Sequence, residues 1–211
     1  MVRQVCDESL GGSPPILVPF FVPLAAAGAP QVAPPPPSPE VLARQAIAEL
    51  VIPMPTISIG PDRAKAAVNL WTWLWVDEAA PVSATVSAGG VTVTATAELT
   101  STTWTLGEPA ATGGPYEAGP AVATTCDGTG SAPPPNYDWK AEPPCGHMFT
   151  WRSTKDRTGG SGTWPITVTT TWTVTWQSNT GVSGTDGLVG TAADALEVGE
   201  YRIVLVQGPG G

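Results

Sequence analysis

TWPITVTTTWTVTW, residues 163–176, alternates with a period of two along its whole length. Trp164, Ile166, Val168, Thr170, Trp172, Val174 and Trp176 share one face, and the odd positions from Thr167 to Thr175 are all threonine. Such a period marks a half-buried β-strand, apolar side on a core and hydroxyl side towards water. At ~3.3 Å per residue the run would extend about 45 Å, longer than a usual strand, which predicts a bend or bulge near residues 169–171. Pro165 has no amide hydrogen and belongs at an edge or strand start.

The same alternation recurs upstream. In residues 91–99, Val91, Val93, Ala95, Ala97 and Leu99 point one way and Thr92, Thr94 and Thr96 the other. Trp104 and Leu106 resume the apolar phase on even numbers, so a turn or bulge within residues 100–103 must absorb one residue. Residues 82–86 form the partner of this run, joined to it by a tight hairpin at Ala88-Gly89-Gly90. LWTWLWV, residues 70–76, puts Trp71, Trp73 and Trp75 on one face and Leu70, Leu74 and Val76 on the other. With both faces apolar, this strand either lies between layers or carries its Trp face at an interface. Weaker strands are expected at residues 54–59, before a turn at Gly60-Pro61-Asp62, and at residues 145–151. A Gly/Ser/Thr-rich loop beyond Gln177 then leads to a last strand, YRIVLVQ, residues 201–207. The expected fold is mainly β, an antiparallel sandwich filled by Trp104, Trp164 and Trp172.

One helix is predicted. Ser38-Pro39-Glu40 supplies an N-cap, a first-turn proline and an early acid, and Val41, Leu42, Ala46, Ile47 and Leu50 follow at helical spacing until Pro53. Its apolar stripe should bury against an end or edge of the sandwich. The expected organisation is therefore a flexible, Pro-rich tail over residues 1–37, a short helix over 38–53 and a sandwich over 54–207. Within it, residues 107–145 form a long irregular excursion closed by cysteines, too long for an ordinary hairpin loop.

Composition narrows the partners. Only 13% of the 211 residues are charged, against roughly 25% in average soluble domains, so Thr and Ser must supply the surface polarity. A net charge of −9 repels a phosphate backbone, which argues against nucleic acid. No apolar run reaches the ~20 residues of a membrane span. The closest, residues 16–27, is broken by Pro19 and Pro23. It does not fit a signal peptide, because Asp7 and Glu8 stand where positive charge is required. For an exported chain the signal is expected upstream of Met1. Cys126 and Cys145 flank a Pro-rich loop whose closure by a disulfide would contribute roughly 3 kcal/mol, and Cys6 is left over.

Thr103-Trp104-Thr105-Leu106-Gly107-Glu108, then Gly146-His147-Met148-Phe149-Thr150 and Gly162-Thr163-Trp164-Pro165-Ile166-Thr167-Val168, occur in an order that resembles the polycystic kidney disease (PKD) domain, an Ig-like β-sandwich. The span from Pro39 to Val206 is similar to secreted or membrane-associated PKD-like proteins of high-GC Gram-positive bacteria, in which paired cysteines bracket the loop before a C-G-H motif. The family's G-D-G is here Gly107-Glu108-Pro109. The resemblance implies an extracellular or cell-surface sandwich and no particular chemistry. Nucleotide binding has no support, since the chain has no G-x-x-x-x-G-K-[ST] loop.

Candidate sites follow from residue type. Cys126, Cys145 and His147 offer three soft metal ligands where a structural zinc takes four, and a disulfide is the simpler use of the cysteines. A Ser-His-Asp triad would need the sole histidine, His147, with Ser153, and no G-x-S-x-G elbow is present. Asp127, Asp138, Glu142 or Glu108 could pair for glycoside hydrolysis. Neither metal nor cofactor is expected, and the chain is read as a non-enzyme. Nine tryptophans are the richest set. Trp71, Trp73, Trp75, Trp151 and Trp176, with Tyr137 and Trp139 in the loop, form a possible binding surface. The leading expectation is a surface structural or adhesion module acting through protein contacts. The alternative is a carbohydrate-binding module that stacks sugar rings on exposed indoles, and a hydrolase using the loop acids stands third.

Overall fold

The computed structural model describes residues 35–77 and 79–202. Cys6, residues 16–27 and most of the expected strand at 201–207 lie outside them. The elements run α1 (Pro39–Glu49), β1 (Ile57–Gly60), β2 (Trp71–Val76), β3 (Val82–Ala88), β4 (Val91–Pro109), β5 (Ala121–Asp127), β6 (Gly146–Met148), β7 (Trp164–Ser178) and β8 (Ser183–Leu196). They form two antiparallel sheets and one short helix, a mainly β, sandwich-like fold. The large sheet has the order β3-β4-β7-β8, with β5 also on β4, and the small one is β1-β2-β6.

β7 is the centre of the large sheet and has the alternation its sequence predicts. Trp164, Ile166, Val168, Thr170, Trp172 and Val174 are buried, while Thr167, Thr169, Thr171, Thr173 and Thr175 lie half-buried or exposed on the other face. The expected irregularity falls on the neighbouring strand. Along β4 the register passes from Leu99↔Trp172 to Ser101↔Thr171, so Thr100 is the extra residue. This bulge moves the buried phase of β4 from Val93, Ala95 and Ala97 to Thr102, Trp104 and Leu106. Thr100 is tied on both sides: its hydroxyl donates to Thr171 O (3.1 Å) and its carbonyl accepts from Gly128 N (2.9 Å). On its other edge β4 pairs first with β3 and then with β5, end to end. The β3–β4 turn is made by Gly89 and Gly90 at φ 59° and 83°, the left-handed pair that a two-residue hairpin requires.

The buried face of this sheet has two covers. The small sheet closes one end, packing Ile59, Leu74 and Val76 on Trp104, Leu106, Trp164, Ile166 and Val168. Helix α1 closes the other, packing Leu42, Ala43 and Ala46 on Val93, Ala95, Ala97, Trp172 and Val174. Between them buried Thr102 and Thr170 stand opposite each other in register. Each accepts a bond from the indole N–H two residues on, Trp104 at 3.3 Å and Trp172 at 3.2 Å, so neither hydroxyl is buried without a partner.

Five expectations need correction. The helix stops at Glu49 instead of reaching Pro53, because Pro53 has no N–H for the carbonyl of Glu49. Val41 is 50% exposed, and Ala43 takes its expected place in the buried stripe. The 107–145 excursion contains β5, and the segment after Gln177 is not a loop but the 14-residue strand β8. Tyr201 and Arg202 are not in a strand.

Cys126 is the penultimate residue of β5, and its bond to Cys145 (Cα–Cα 5.4 Å, separation 19), just before β6, joins the two sheets across the core. Reduction, or the double change C126S/C145S, is expected to cost about 3 kcal/mol. Urea unfolding with and without reductant measures it, and superimposable curves would contradict this role.

Candidate functional site: an aromatic groove beside the small sheet

The Trp face of β2 points away from the core, and residues 128–144 fold over part of it. Their path is set by backbone bonds to β2: Val76 N to Thr129 O (2.8 Å) and Ser131 N to Leu74 O (3.3 Å). Gly130 allows the approach, since a Cβ there would stand 2.4 Å from Leu74 O. Tyr137 meets Trp73 edge to face at 6.2 Å, and Trp73 is 7% exposed. Trp75 is half-buried beneath Gly60 and Pro133.

At the end of this cover lies a groove of about 270 Å³ lined by Trp71, Tyr137, Trp139, Tyr201, Asp62 and Lys65, among others. Four separate segments supply these side chains: the turn after β1, the start of β2, the disulfide-closed loop and the chain after β8. Trp139 and Tyr201 are 56% and 62% exposed, unusual for such rings. Lys140 Nζ sits 5.0 Å from the centroid of the Trp139 ring and occupies one of its faces. Tyr201 is anchored by its hydroxyl, which donates to Lys65 O (3.3 Å).

The polar part of the groove is an ion pair. Lys65 Nζ lies 2.8 Å from Asp62 Oδ2, and Asp62 Oδ1 accepts from Ala64 N at 3.0 Å, capping the one-turn helix Arg63–Lys65. The hydrogen bond from Lys65, followed by that from Ala64 N, holds the Asp62 carboxyl below the usual carboxylate range. The same bond to Asp62 holds the Lys65 ammonium above its ordinary value. The groove thus has a mutually neutralising ion pair beside four rings.

The remaining candidate residues lie elsewhere. Trp151 is half-buried against Tyr116 (5.4 Å) and Arg157, and Trp176 is half-buried over Gly184 at the α1 end. Of the surface expected from sequence, then, Trp71, Tyr137 and Trp139 come together, while Trp73, Trp75, Trp151 and Trp176 are packed. Glu108 is 1% exposed and accepts from His147 Nε2 (2.5 Å), Thr150 N (3.2 Å) and Trp151 N (3.1 Å). Ser153 Oγ instead donates to Gly162 O and accepts from Val198 N, both at 2.8 Å. His147 and Ser153 thus serve different partners, and the two cysteine sulfurs beside His147 are consumed by the disulfide. Asp138 accepts from Lys140 N at 2.9 Å, closing a local turn, and Asp127 and Glu142 are exposed. Among the described residues no three His, Cys, Asp or Glu gather as metal ligands, and no helix is long and apolar enough to cross a membrane.

A second cleft, about 200 Å³, separates the two covers above Leu99 and Trp172. Of its polar lining residues, Thr170 donates to Gly190 O and accepts from Trp172, and Asp77 accepts from the Ser58 hydroxyl at 3.5 Å, with Thr56 beside them. Asp62, Lys65 and Tyr201 have no signal in the sequence beyond a turn and a strand start; only the fold brings them to Trp71 and Trp139. The chain matches no protein-family model, no curated protein and no solved structure.

Proposed function

We propose that this protein is a non-enzymatic, extracellular or cell-surface binding module whose aromatic groove holds a segment of glycan. The single observation that carries the reading is the meeting of Trp71, Tyr137, Trp139 and Tyr201 around one concave site where, among the described residues, Asp62 and Lys65 are the charged lining. Apolar walls with a few placed polar groups are the general make-up of a small-ligand site. A sugar ring suits these walls, since its C–H face stacks on an aromatic ring while its hydroxyl edge needs hydrogen bonds. The disulfide, the low charge density and the resemblance to exported PKD-like sandwiches support the compartment.

Retention on insoluble polysaccharides tests the reading. Wild type is expected in the pellet and Trp139→Ala in the supernatant, the loss of one stacking ring being worth roughly tenfold or more in affinity. Equal retention of the two proteins would exclude the groove as the binding surface.

A second reading, adhesion through protein contacts, is favoured by the outer face of the large sheet. Ser83–Thr96, Thr85–Thr94, Ser87–Thr92 and Thr103–Thr125 bridge adjacent strands there by hydroxyl bonds of 2.8–3.1 Å, and no element of the described chain covers them. Binding through that face would survive Trp139→Ala and fail when Thr94 and Thr175 are both replaced by Lys.

A further inference from the structure

We infer that the Asp62–Lys65 pair makes the groove selective for a neutral sugar with two adjacent free ring hydroxyls, an inference that rests on the glycan reading above. The geometry is that of a diol clamp. Asp62 Oδ2 and Lys65 Nζ are 2.8 Å apart, about the separation of the two oxygens in a gauche vicinal diol. One hydroxyl can donate to the carboxylate while its neighbour accepts from the ammonium, each bond in its ordinary range. Both partners have capacity to spare. Among the described residues the ammonium uses one of its three N–H groups, on Asp62, and Oδ2 accepts only from Lys65. Their side chains are 71% and 43% exposed, Lys65 and Asp62 respectively, so a ligand reaches them without displacing protein.

The pair is also held in place. Asp62 is fixed by the Ala64 amide, and the backbone of Lys65 by its bond to Asp62 O (2.9 Å) and by the Tyr201 hydroxyl on its own carbonyl. Because the two charges cancel, the clamp does not favour an ionic ligand, and its directional bonds select on hydroxyl placement. Lys140 already occupies one face of Trp139, which leaves the other for a ring whose diol edge turns to the clamp. A β-1,3-linked glucan, whose internal rings carry no two hydroxyls on neighbouring carbons, would satisfy one of the two clamp groups and leave the other without its partner. With its carboxyl held below the usual range by Lys65 and Ala64, Asp62 stays an acceptor as pH falls into the ordinary carboxylate range, so affinity should hold there.

Calorimetric titration of the full chain with cellohexaose, which has a free 2,3-diol on every ring, and with laminarihexaose, whose β-1,3 linkages leave none on its internal rings, tests this. Cellohexaose is expected to bind at least about tenfold more tightly, and Asp62→Asn and Lys65→Met are each expected to lose roughly tenfold or more of that affinity. Asn keeps the cap on Ala64 and Met keeps the apolar stem, and unchanged melting temperatures would verify that both variants fold. Equal affinity for the two sugars, or Asp62→Asn and Lys65→Met at wild-type affinity while Trp139→Ala loses binding, would overturn the clamp and leave the groove a glycan site. Binding of neither sugar by the wild type would overturn both.

Discussion

Trp172→Ala is expected to lower stability by about 3–5 kcal/mol and to free helix α1 before the sheets unfold. Trp172 is 1% exposed and packs with the helix residues Leu42, Ala43 and Ala46. The helix residues against it are mostly small, so a truncated indole leaves a hole that two alanines cannot fill. Truncation also removes the N–H that donates to Thr170. The other cluster, built on Trp104, shares none of these contacts. Urea unfolding followed in parallel by helix ellipticity and tryptophan fluorescence should therefore separate into two transitions in the variant, the helix melting first. A single transition displaced by less than about 1 kcal/mol, the scale of a surface substitution, would show that α1 does not depend on this side chain.

That dependence was legible in part. A period of two identifies β7 and β4, and the phase change between Leu99 and Trp104 locates the bulge to within a few residues, because burial on one face leaves a one-residue slip nowhere to go. β8 has no such signal. Its contact with the core needs only Leu188, Ala192 and Leu196, spaced by four with Gly and Asp between, and the rest of this edge strand faces solvent. A strand that buries so little side chain is held by its ladder with β7, and backbone bonds leave no trace in residue type. β5 carries as weak a signal, its residues Val122, Thr124 and Cys126 being too small to stand out. The PKD likeness rests on the order of its motifs alone.

The candidate site divides in the same way. Aromatic residue type in a long Pro-rich loop singles out Tyr137 and Trp139, and alternation puts Trp71 outward. What sequence could not supply was the covering of Trp73 and Trp75, which depends on where residues 128–144 return. Nor could it supply the arrival of Tyr201 beside Lys65. Both follow from long-range closure, by the disulfide in one case and by the Ala67↔Gly199 bridge in the other.

Glu108→Ala should cost a further 3–5 kcal/mol or so, and Glu108→Gln distinctly less. A carboxylate at 1% exposure, on the strand that ends in Pro109, collects the His147 ring N–H and the amides of Thr150 and Trp151. A carboxylate can only accept, so it meets three donors that Ala would leave buried and unpaired. Gln restores one acceptor but turns an NH₂ towards the donors, repairing part of the set. The effect should spread, because Trp151 O accepts from Trp164 Nε1 at 3.1 Å and the Trp151 ring bears on Tyr116 and Arg157. Loss of the near-ultraviolet tryptophan dichroism in Glu108→Ala, partly recovered in Glu108→Gln, is the expected signature. If Ala and Gln were equally stable and both near wild type, the buried acid would not be what fixes residues 146–151. A merely structural Glu108 leaves the groove's affinity untouched in the Gln variant below its melting temperature, whereas a catalytic acid would have to be reached by substrate, and this one is sealed beneath His147 and Phe149, whose ring stands edge-on to the imidazole at 4.9 Å.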